Sequence, residues 1–534
     1  MSKNALLKGT LILTLAALVT RVLGVAQRIP LQRILGDEGM ATYGIAYNIY
    51  GILLIIATVG IPSALSKQIA EYHALGLYHE ARQTYRASRD FSLVAGLVAT
   101  VVLYLIAPFY AVHISHDPDA ALSIRAIAPA LLLFPLISIM RGYFQGLQFM
   151  SPTGLSQVSE QILRVGVAVL FPVLLLGAGW SKEVAVAGAS FGAVAGSLGA
   201  ILVLLYFFRK ERGERKKQLV EQREFRRLQR KEIFRRLLWT AIPISLASTA
   251  IPLIYFIDSS TVIPLLQGDL GQAGAKEMLG ILTGRAQSLA SIPPILAIAL
   301  SSAVLPAVAS SFSRGDLGEV TRTGSLALRL TLVTGAPLAL YLTAGAFAVN
   351  GFLFGDVQGS WVVALLCFGS IFQMVMMTSM AILQGLGKVM LPMWFVFAGI
   401  VAKAVLNPVL TPLFGIYGVI VATSAAFVVI LLLNMWAIRR EVPLDVIGDR
   451  LSGFMAASIG LVVVVWLVYQ GCVAVLPGGW HPAIYYGLIC MATGLVSFPV
   501  YGLLLVWRKG LAPEDIRYLP GPVRRICAKI GVGG

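Results

Sequence analysis

The sequence has few charged residues, and acidic residues are the scarcer kind. Asp, Glu, Lys and Arg make up 13% of its 534 residues, whereas 57% are hydrophobic. A soluble domain carries about 25% charged residues. Only 25 Asp and Glu stand against 42 Lys and Arg. This composition leaves no stretch for a soluble catalytic domain and predicts an integral membrane protein that is not an enzyme.

Cysteine is also rare. The four cysteines, Cys367, Cys472, Cys490 and Cys527, are scattered without paired or metal-ligand spacing. We interpret them as small core residues, and we predict neither a metal site nor a cofactor. A coupling cation, Na⁺ or H⁺, stays open.

Long apolar runs dominate the chain and predict an all-α membrane protein with about fourteen transmembrane helices, since each needs roughly 20 residues. The predicted spans are 6–33, 43–66, 90–113, 122–147, 152–177, 184–208, 237–265, 277–311, 324–350, 359–386, 389–413, 415–438, 451–473 and 483–507.

The charges between these spans alternate in sign. Odd-numbered connections carry mainly Asp and Glu, and even-numbered ones carry Lys and Arg. By the positive-inside rule, both termini are then cytoplasmic. The longest connection, 209–236, has thirteen Lys or Arg against five Glu. A solvated topological anchor is the favoured interpretation, and a surface helix on anionic lipid is the alternative. Nucleic-acid binding is disfavoured because only Phe225 and Phe234 interrupt the charges.

The second half of the chain repeats the first at an offset of 239 residues. Gln145-Gly146-Leu147 recurs as Gln384-Gly385-Leu386, and Arg164 aligns with Lys403. We therefore predict an N-lobe at 1–235, a C-lobe at 236–445 and two unpaired helices in 446–534. Six helices per copy place both copies in the same orientation. Two such bundles are typical of transporters that enclose a cavity.

Two arginines lie in the first span, within TRVLGVAQR (20–28). Arg21 falls well inside the hydrocarbon, where a charge costs roughly 2.5–3.5 kcal/mol. Such arginines often mark the path of an anionic substrate, so Arg21 and Arg28 are candidate substrate-binding residues. The alternative is structural: one arginine bonded to helix-end carbonyls, and Arg28 extending to the interface.

Further charges lie in other spans. Glu160 and Arg164 are four residues apart, the spacing of an ion pair that we interpret as more structural than catalytic. Arg164 is also a candidate substrate-binding residue, and Glu160 a candidate for coupling or charge balance. Arg141, near a helix end, is interpreted as reaching the interface.

Arg285 and Lys403 are further candidates for substrate binding, and Lys403 has no acidic neighbour one turn away. Asp258 either balances an arginine or binds a coupling cation. The candidate charges together make the interior cationic, which suits phosphate or pyrophosphate because guanidinium groups bind phosphate oxygens in pairs.

Three segments resemble a known family: TRVLGVAQR, the GMAT run at 39–42, and RGYFQGLQFMSPTGLSQVSEQILRV at 141–165. They are similar to the multidrug/oligosaccharidyl-lipid/polysaccharide flippase superfamily, in the branch of the lipid II flippases and the stage V sporulation protein B group. The resemblance covers nearly the whole chain. It implies a fourteen-helix, two-lobe fold in the bacterial cytoplasmic membrane that moves a polyprenyl-pyrophosphate-linked oligosaccharide outward by alternating access.

The resemblance also implies roles for particular residues. Essential cavity arginines of the family correspond here to Arg21 and Arg285, and a second helix-1 arginine corresponds to Gln27 or Arg28. Many lipid II flippases have Asp after GMAT, where this chain has Tyr43. The last two helices would line a groove for the lipid tail. The expected partners are the lipid-linked oligosaccharide and membrane lipids, in a monomer for which cell-wall synthesis proteins are candidate associates.

Three alternatives stay open at this stage. A multidrug cation antiporter of the same superfamily would need carboxylates as the main cavity charges. A membrane glycosyltransferase would use Asp117-Pro118-Asp119 as a metal-binding motif, although the motif lies in a short loop. An assembly scaffold would transport nothing.

Overall fold

The computed structural model describes residues 3–58, 61–222, 225–235, 246, 249–477, 479–508 and 510. Most of these residues are helical, and none of them forms a strand. Cys527 lies outside them. The α-helices are α1 Lys3–Thr58, α2 Ile61–Ala74, α3 Tyr78–Phe109, α4 Ala120–Ile127, α5 Ala130–Gly146, α6 Ser151–Gly177, α7 Lys182–Lys210, α8 Arg212–Glu221, α9 Ala250–Gly280, α10 Gln287–Ala290, α11 Pro294–Ser313, α12 Leu317–Ala344, α13 Ala346–Phe354, α14 Ser360–Gly385, α15 Met390–Phe414, α16 Ile416–Arg439, α17 Leu451–Val475 and α18 Pro482–Trp507. Two π-helical segments, Tyr110–Ile114 and Ile281–Ala286, extend α3 and follow α9.

Thirteen helical segments in the described part of the chain are long and apolar enough to cross a membrane. This confirms the all-α membrane fold. The first segment, Val19–Ala74, contains parts of the first two predicted spans, which accounts for a count one below fourteen.

The chain reverses direction inside α1. Gly36 has φ 69° and ψ −179°, a left-handed extended geometry that other residues rarely adopt. Gln27 donates a side-chain hydrogen bond to the Tyr43 hydroxyl at 3.3 Å. In a straight helix, these two residues would be about 24 Å apart. The two halves of α1 therefore lie side by side as separate spans.

The chain forms two compact units, residues 1–280 (unit 1) and 281–534 (unit 2). Helix α9 belongs to unit 1, where Asn48 on α1 donates to the Tyr255 carbonyl at 3.2 Å. The predicted segments 1–235, 236–445 and 446–534 describe a sequence repeat, and that division stays a prediction.

The repeat has a counterpart in the packing inside each unit. A Cβ atom on Gly146 would lie 2.6 Å from the Ile69 Cβ atom, and one on Gly385 would lie 2.9 Å from the Val308 Cβ atom. Both pairs obey the offset of 239 residues, since 385 − 146 and 308 − 69 give the same value. The same helix crossing, closed by the same glycine, thus occurs in both copies.

Residues from four odd-numbered connections of unit 1 contact one another. Glu38 pairs with Lys182 at 3.7 Å, and Lys276 pairs with Asp117 at 2.7 Å. Thr42 donates to the same Asp117 at 2.6 Å. These connections therefore share one end of the unit, as the alternating charges predicted. Which side of the membrane that end faces stays a prediction.

The last two helices, α17 and α18, belong to unit 2. Tyr341 on α12 donates to the Cys490 carbonyl on α18 at 2.7 Å, and Tyr501 on α18 donates to the Val333 carbonyl at 3.1 Å. The helices without a partner in the repeat are thus fixed to the second copy by buried tyrosines.

We expect Gly146→Ala and Gly385→Ala to lower the thermal midpoint in detergent, because overpacking a tight helix crossing costs about 1–3 kcal/mol. Fluorescence-monitored unfolding measures it. Gly166→Ala is the matched control, since nothing lies within 4 Å of its added Cβ atom. Equal midpoints for all three variants would contradict the close-crossing interpretation.

Candidate functional site

A polar cavity of about 310 Å³ lies within unit 1, between α1, α5 and α6. Its walls include three charged residues, Arg141, Glu160 and Arg164, and two tyrosines, Tyr47 and Tyr50. The charged residues come from α5 and α6, and the tyrosines from the second half of α1. We call this the arginine cavity.

One carboxylate pairs with both arginines of the cavity. Arg141 donates to a Glu160 carboxylate oxygen at 2.8 Å, and Arg164 donates to the other oxygen. Arg141 also donates to the Ser156 hydroxyl at 2.8 Å. The predicted Glu160–Arg164 pair is confirmed. The prediction for Arg141 was wrong: its side chain does not extend to an interface, because Glu160 holds it in the interior.

The cavity keeps an excess positive charge. Two guanidinium groups and one carboxylate leave a net charge of +1 among its described charged residues. The Nε–H group of Arg164 is buried and has no hydrogen-bond partner among the described residues. A guanidinium that lines a cavity can donate charge-assisted hydrogen bonds to an anionic oxygen.

Three tyrosines at helical spacing run along the second half of α1. The rings of Tyr43 and Tyr47 are 5.1 Å apart, and those of Tyr47 and Tyr50 are 5.9 Å apart. Tyr43 directly follows the GMAT run, at the position where the family resemblance implies an Asp. Because a neutral phenol replaces a carboxylate there, this face does not reduce the positive charge of the cavity. The helical spacing of Tyr43, Tyr47 and Tyr50 is visible in the sequence, but these residues were not among the predicted site residues.

The arginines of the first span lie next to the cavity rather than in its wall. Thr20 lines the cavity, while Arg21 beside it has an exposed side chain. Arg28 is half-buried and close enough to Tyr43 to interact with it electrostatically. Seven residues apart, Arg21 and Arg28 project from a similar face of the helix. Their roles in substrate binding stay predictions.

Arg285 lies in unit 2, in the π-helical segment Ile281–Ala286. Its side chain donates to an Asp356 carboxylate oxygen and to the Gln358 carbonyl, both at 3.2 Å. Single π-helical turns occur often at functional sites. In this conformation Asp356 balances the charge of Arg285, so an anion would have to compete for the guanidinium.

Two other predicted residues are wholly buried. Lys403 on α15 donates to the Val419 carbonyl at 2.8 Å and to the Thr423 hydroxyl at 2.7 Å, both on α16. The structure gives Lys403 a helix-joining contact in unit 2, and its role in substrate binding stays a prediction. Asp258 is 1% exposed on α9 in unit 1.

The carboxylates of the Asp117-Pro118-Asp119 motif are engaged. Lys276 donates to both, at 2.7 Å to Asp117 and 2.6 Å to Asp119. Across the described ranges, no group of three or more His, Cys, Asp or Glu side chains is placed to hold a metal ion. The motif therefore binds the part of α9 that contains Lys276. Because both carboxylates are already paired with a lysine, the glycosyltransferase alternative is weakened.

Comparison with solved structures supports the fold. A lipid II flippase MurJ structure in an inward closed conformation matches with a TM-score of 0.65 and 14% identity, over 93% of this chain and 100% of that chain. An inward-facing multidrug resistance MATE family transporter of the MOP superfamily matches with a TM-score of 0.62 and 15% identity, over 79% and 95%. At these identities the likeness concerns the fold alone.

Comparison with known protein sequences shows the family of this chain. The lipid II flippase MurJ of Bacillus subtilis is 31% identical over 82% of this chain and 83% of its own length. Stage V sporulation protein B of the same organism is 26% identical over 97% of this chain and 98% of its own length. The family model described as polysaccharide biosynthesis protein matches residues 6–312. This multi-pass membrane protein therefore belongs to the polysaccharide biosynthesis protein family, among relatives that include lipid II flippases.

Proposed function

We propose that this protein is a flippase that moves a polyprenyl-pyrophosphate-linked oligosaccharide, lipid II or a related cell-wall precursor, across the bacterial cytoplasmic membrane by alternating access. The arginine cavity is the observation that carries the proposal. It contains one buried and one partly buried guanidinium group for one carboxylate, an arrangement that favours an anionic ligand.

The pyrophosphate group is the part of such a lipid that this site can bind. Arg164 has an unused Nε–H donor, and Glu160 keeps Arg164 in place by its ion pair. A phosphate oxygen can then bind to the guanidinium without breaking the pair. The cavity of about 310 Å³ accommodates a phosphate group and part of a sugar, at the lower end of ligand-pocket sizes.

A hydrophobic cation fits this site poorly. Glu160 is the one carboxylate among the described lining residues, and both its oxygens already accept from arginines. A multidrug cation would bring a third positive charge into a partly desolvated space. The MATE-like fold alone therefore does not favour cation export.

We expect Arg21→Ala and Arg285→Ala to abolish translocation while membrane insertion stays normal, because each removes a cationic group proposed to guide the pyrophosphate. The measurement is rescue of cells depleted of their lipid II flippase, with exposure of lipid II in the outer leaflet as the direct readout. Arg322→Ala is the control, since that side chain is 64% exposed. Rescue by both the Arg21 and the Arg285 variants would overturn the mechanism, and failure of the unmodified protein at normal expression would point to another polyprenyl-linked glycan.

Arg164→Gln separates charge from folding in the arginine cavity. Glu160 retains its Arg141 partner in this variant, so we expect normal folding. Loss of charged hydrogen bonds to phosphate should weaken binding of the lipid-linked pyrophosphate by about tenfold or more. Native mass spectrometry of the purified protein with lipid II measures it, with Arg322→Gln as the charge-matched control. Affinity equal to that of the control would exclude Arg164 as a ligand to the substrate.

Membrane potential should drive the cycle. With the cytoplasmic side negative, outward movement of the head group gains roughly 2.3 kcal/mol per charge per 100 mV. In proteoliposomes with a valinomycin-set potassium potential, we expect the rate to rise for this polarity and to fall when it is reversed. A rate that follows a Na⁺ or H⁺ gradient at zero potential would instead assign a coupling cation, and ethidium transport without lipid movement would favour the antiporter.

A further inference from the structure

A second cavity lies in unit 1, at the end formed by the even-numbered connections. Its volume is about 520 Å³. Five arginines from three helices line it: Arg82, Arg86, Arg89, Arg209 and Arg212. The first three share one face of α3, and the other two end α7 and begin α8. We call this the basic pocket. The positive-inside rule assigns this end to the cytoplasm.

The aromatic side of the pocket is rigid. Tyr85 packs against Tyr143 with ring centroids 4.7 Å apart and against Phe208 at 5.3 Å. The rings of Tyr143 and Phe208 are 5.4 Å apart. This cluster joins α3, α5 and α7. It therefore holds together α3 and α7, which carry four of the five pocket arginines.

The long basic connection packs against the beginning of α3, beside the pocket that its Leu219 lines. Glu80 on α3 accepts from the Gln222 side chain at 2.8 Å and from the Arg226 backbone N–H at 2.7 Å. Gln83 accepts from the Leu228 backbone N–H at 2.9 Å. The interpretation of this connection as a solvated anchor is therefore incomplete, because Gln222, Arg226 and Leu228 bind the beginning of α3.

The pocket has a large excess of positive charge. No Asp or Glu is among its described lining residues. Asp90 partly balances Arg89, at 2.7 Å, but it also accepts from Arg230 at 3.4 Å. Guanidinium groups that line one pocket repel one another, and a bound anion relieves that repulsion. The fork of each guanidinium matches phosphate oxygens.

We propose that the basic pocket binds a phosphate group, and that this site is distinct from the arginine cavity. Its position at the end of membrane-spanning helices and its aromatic wall favour the headgroup of an anionic phospholipid. A soluble phosphate compound offers the same chemistry. Occupancy would fix α3, α7 and the basic connection together, independently of any transported lipid.

The test compares three sets of triple variants in detergent. Arg82→Gln/Arg86→Gln/Arg209→Gln removes three guanidinium groups from the pocket. Arg314→Gln/Arg322→Gln/Arg440→Gln removes the same charge from connections of unit 2 that are also predicted to be cytoplasmic. Arg82→Lys/Arg86→Lys/Arg209→Lys keeps the pocket charge and tests the pocket even if the Gln variant does not fold. Thermal midpoints are titrated with phosphatidylglycerol, with phosphatidylcholine and with inorganic pyrophosphate.

Phosphatidylglycerol should raise the wild-type midpoint, since a ligand that binds the folded state stabilises it. The Gln variant of the pocket should bind it about tenfold more weakly, and the unit 2 variant should respond as wild type does. Stabilisation by pyrophosphate but not by phosphatidylglycerol would assign a soluble ligand to the same site. The proposal is wrong if neither anion stabilises the wild type, if phosphatidylcholine acts equally, or if the Lys variant of the pocket binds with unchanged affinity.

Discussion

The arginine cavity of unit 1 depends on the carboxylate of Glu160. Glu160 accepts from Arg141 and from Arg164, and it brings α5 and α6 together around the arginine cavity. A guanidinium inside an apolar bundle is costly unless a partner compensates it. One carboxylate cannot neutralise two guanidinium groups, so the same interaction that allows the arginines to be buried also leaves a positive charge. In the proposed mechanism, that remaining charge attracts the pyrophosphate group.

The two units surround the cation at the repeated position differently. In unit 1, Arg164 lines a cavity and keeps one N–H group without a partner among the described residues. In unit 2, the residue at the repeated position, Lys403, is 0% exposed and donates to groups on the neighbouring helix. The repeated helices thus keep a cation at the same place, but the first copy presents it to a cavity and the second copy buries it against the neighbouring helix. The two copies of the repeat therefore share similar helix packing, while the repeated cation has different surroundings in each.

Positive charge occurs at two depths of unit 1, and the two sites differ in construction. The arginine cavity is built around an internal ion pair, whereas the basic pocket has several guanidinium groups and no lining carboxylate in the described part of the chain. A strongly basic pocket near the interface suits a stationary lipid headgroup. A cavity with a small excess charge suits a ligand that must also leave, because tight binding of the transported molecule would slow its release.

The amino-acid sequence determined the features that depend on local periodicity. Apolar runs fixed the spans, alternating charges fixed which connections share an end of unit 1, and the offset of 239 residues located the crossing closed by Gly146 and Gly385. The spacing of Glu160 and Arg164 was likewise enough to predict their pair, because residues four apart on a helix are neighbours.

Only the tertiary structure decided which distant charges meet. No short-range sequence pattern joins Arg141 to Glu160, Arg285 to Asp356 or Lys276 to Asp117, since the partners belong to different helices or loops. Burial of Lys403 against α16 was equally hidden, because helical spacing tells which residues share a face but not which face meets a neighbour. The choice between a structural and a substrate-binding charge therefore depends on packing, which sets how much desolvation each group bears and which partner compensates it.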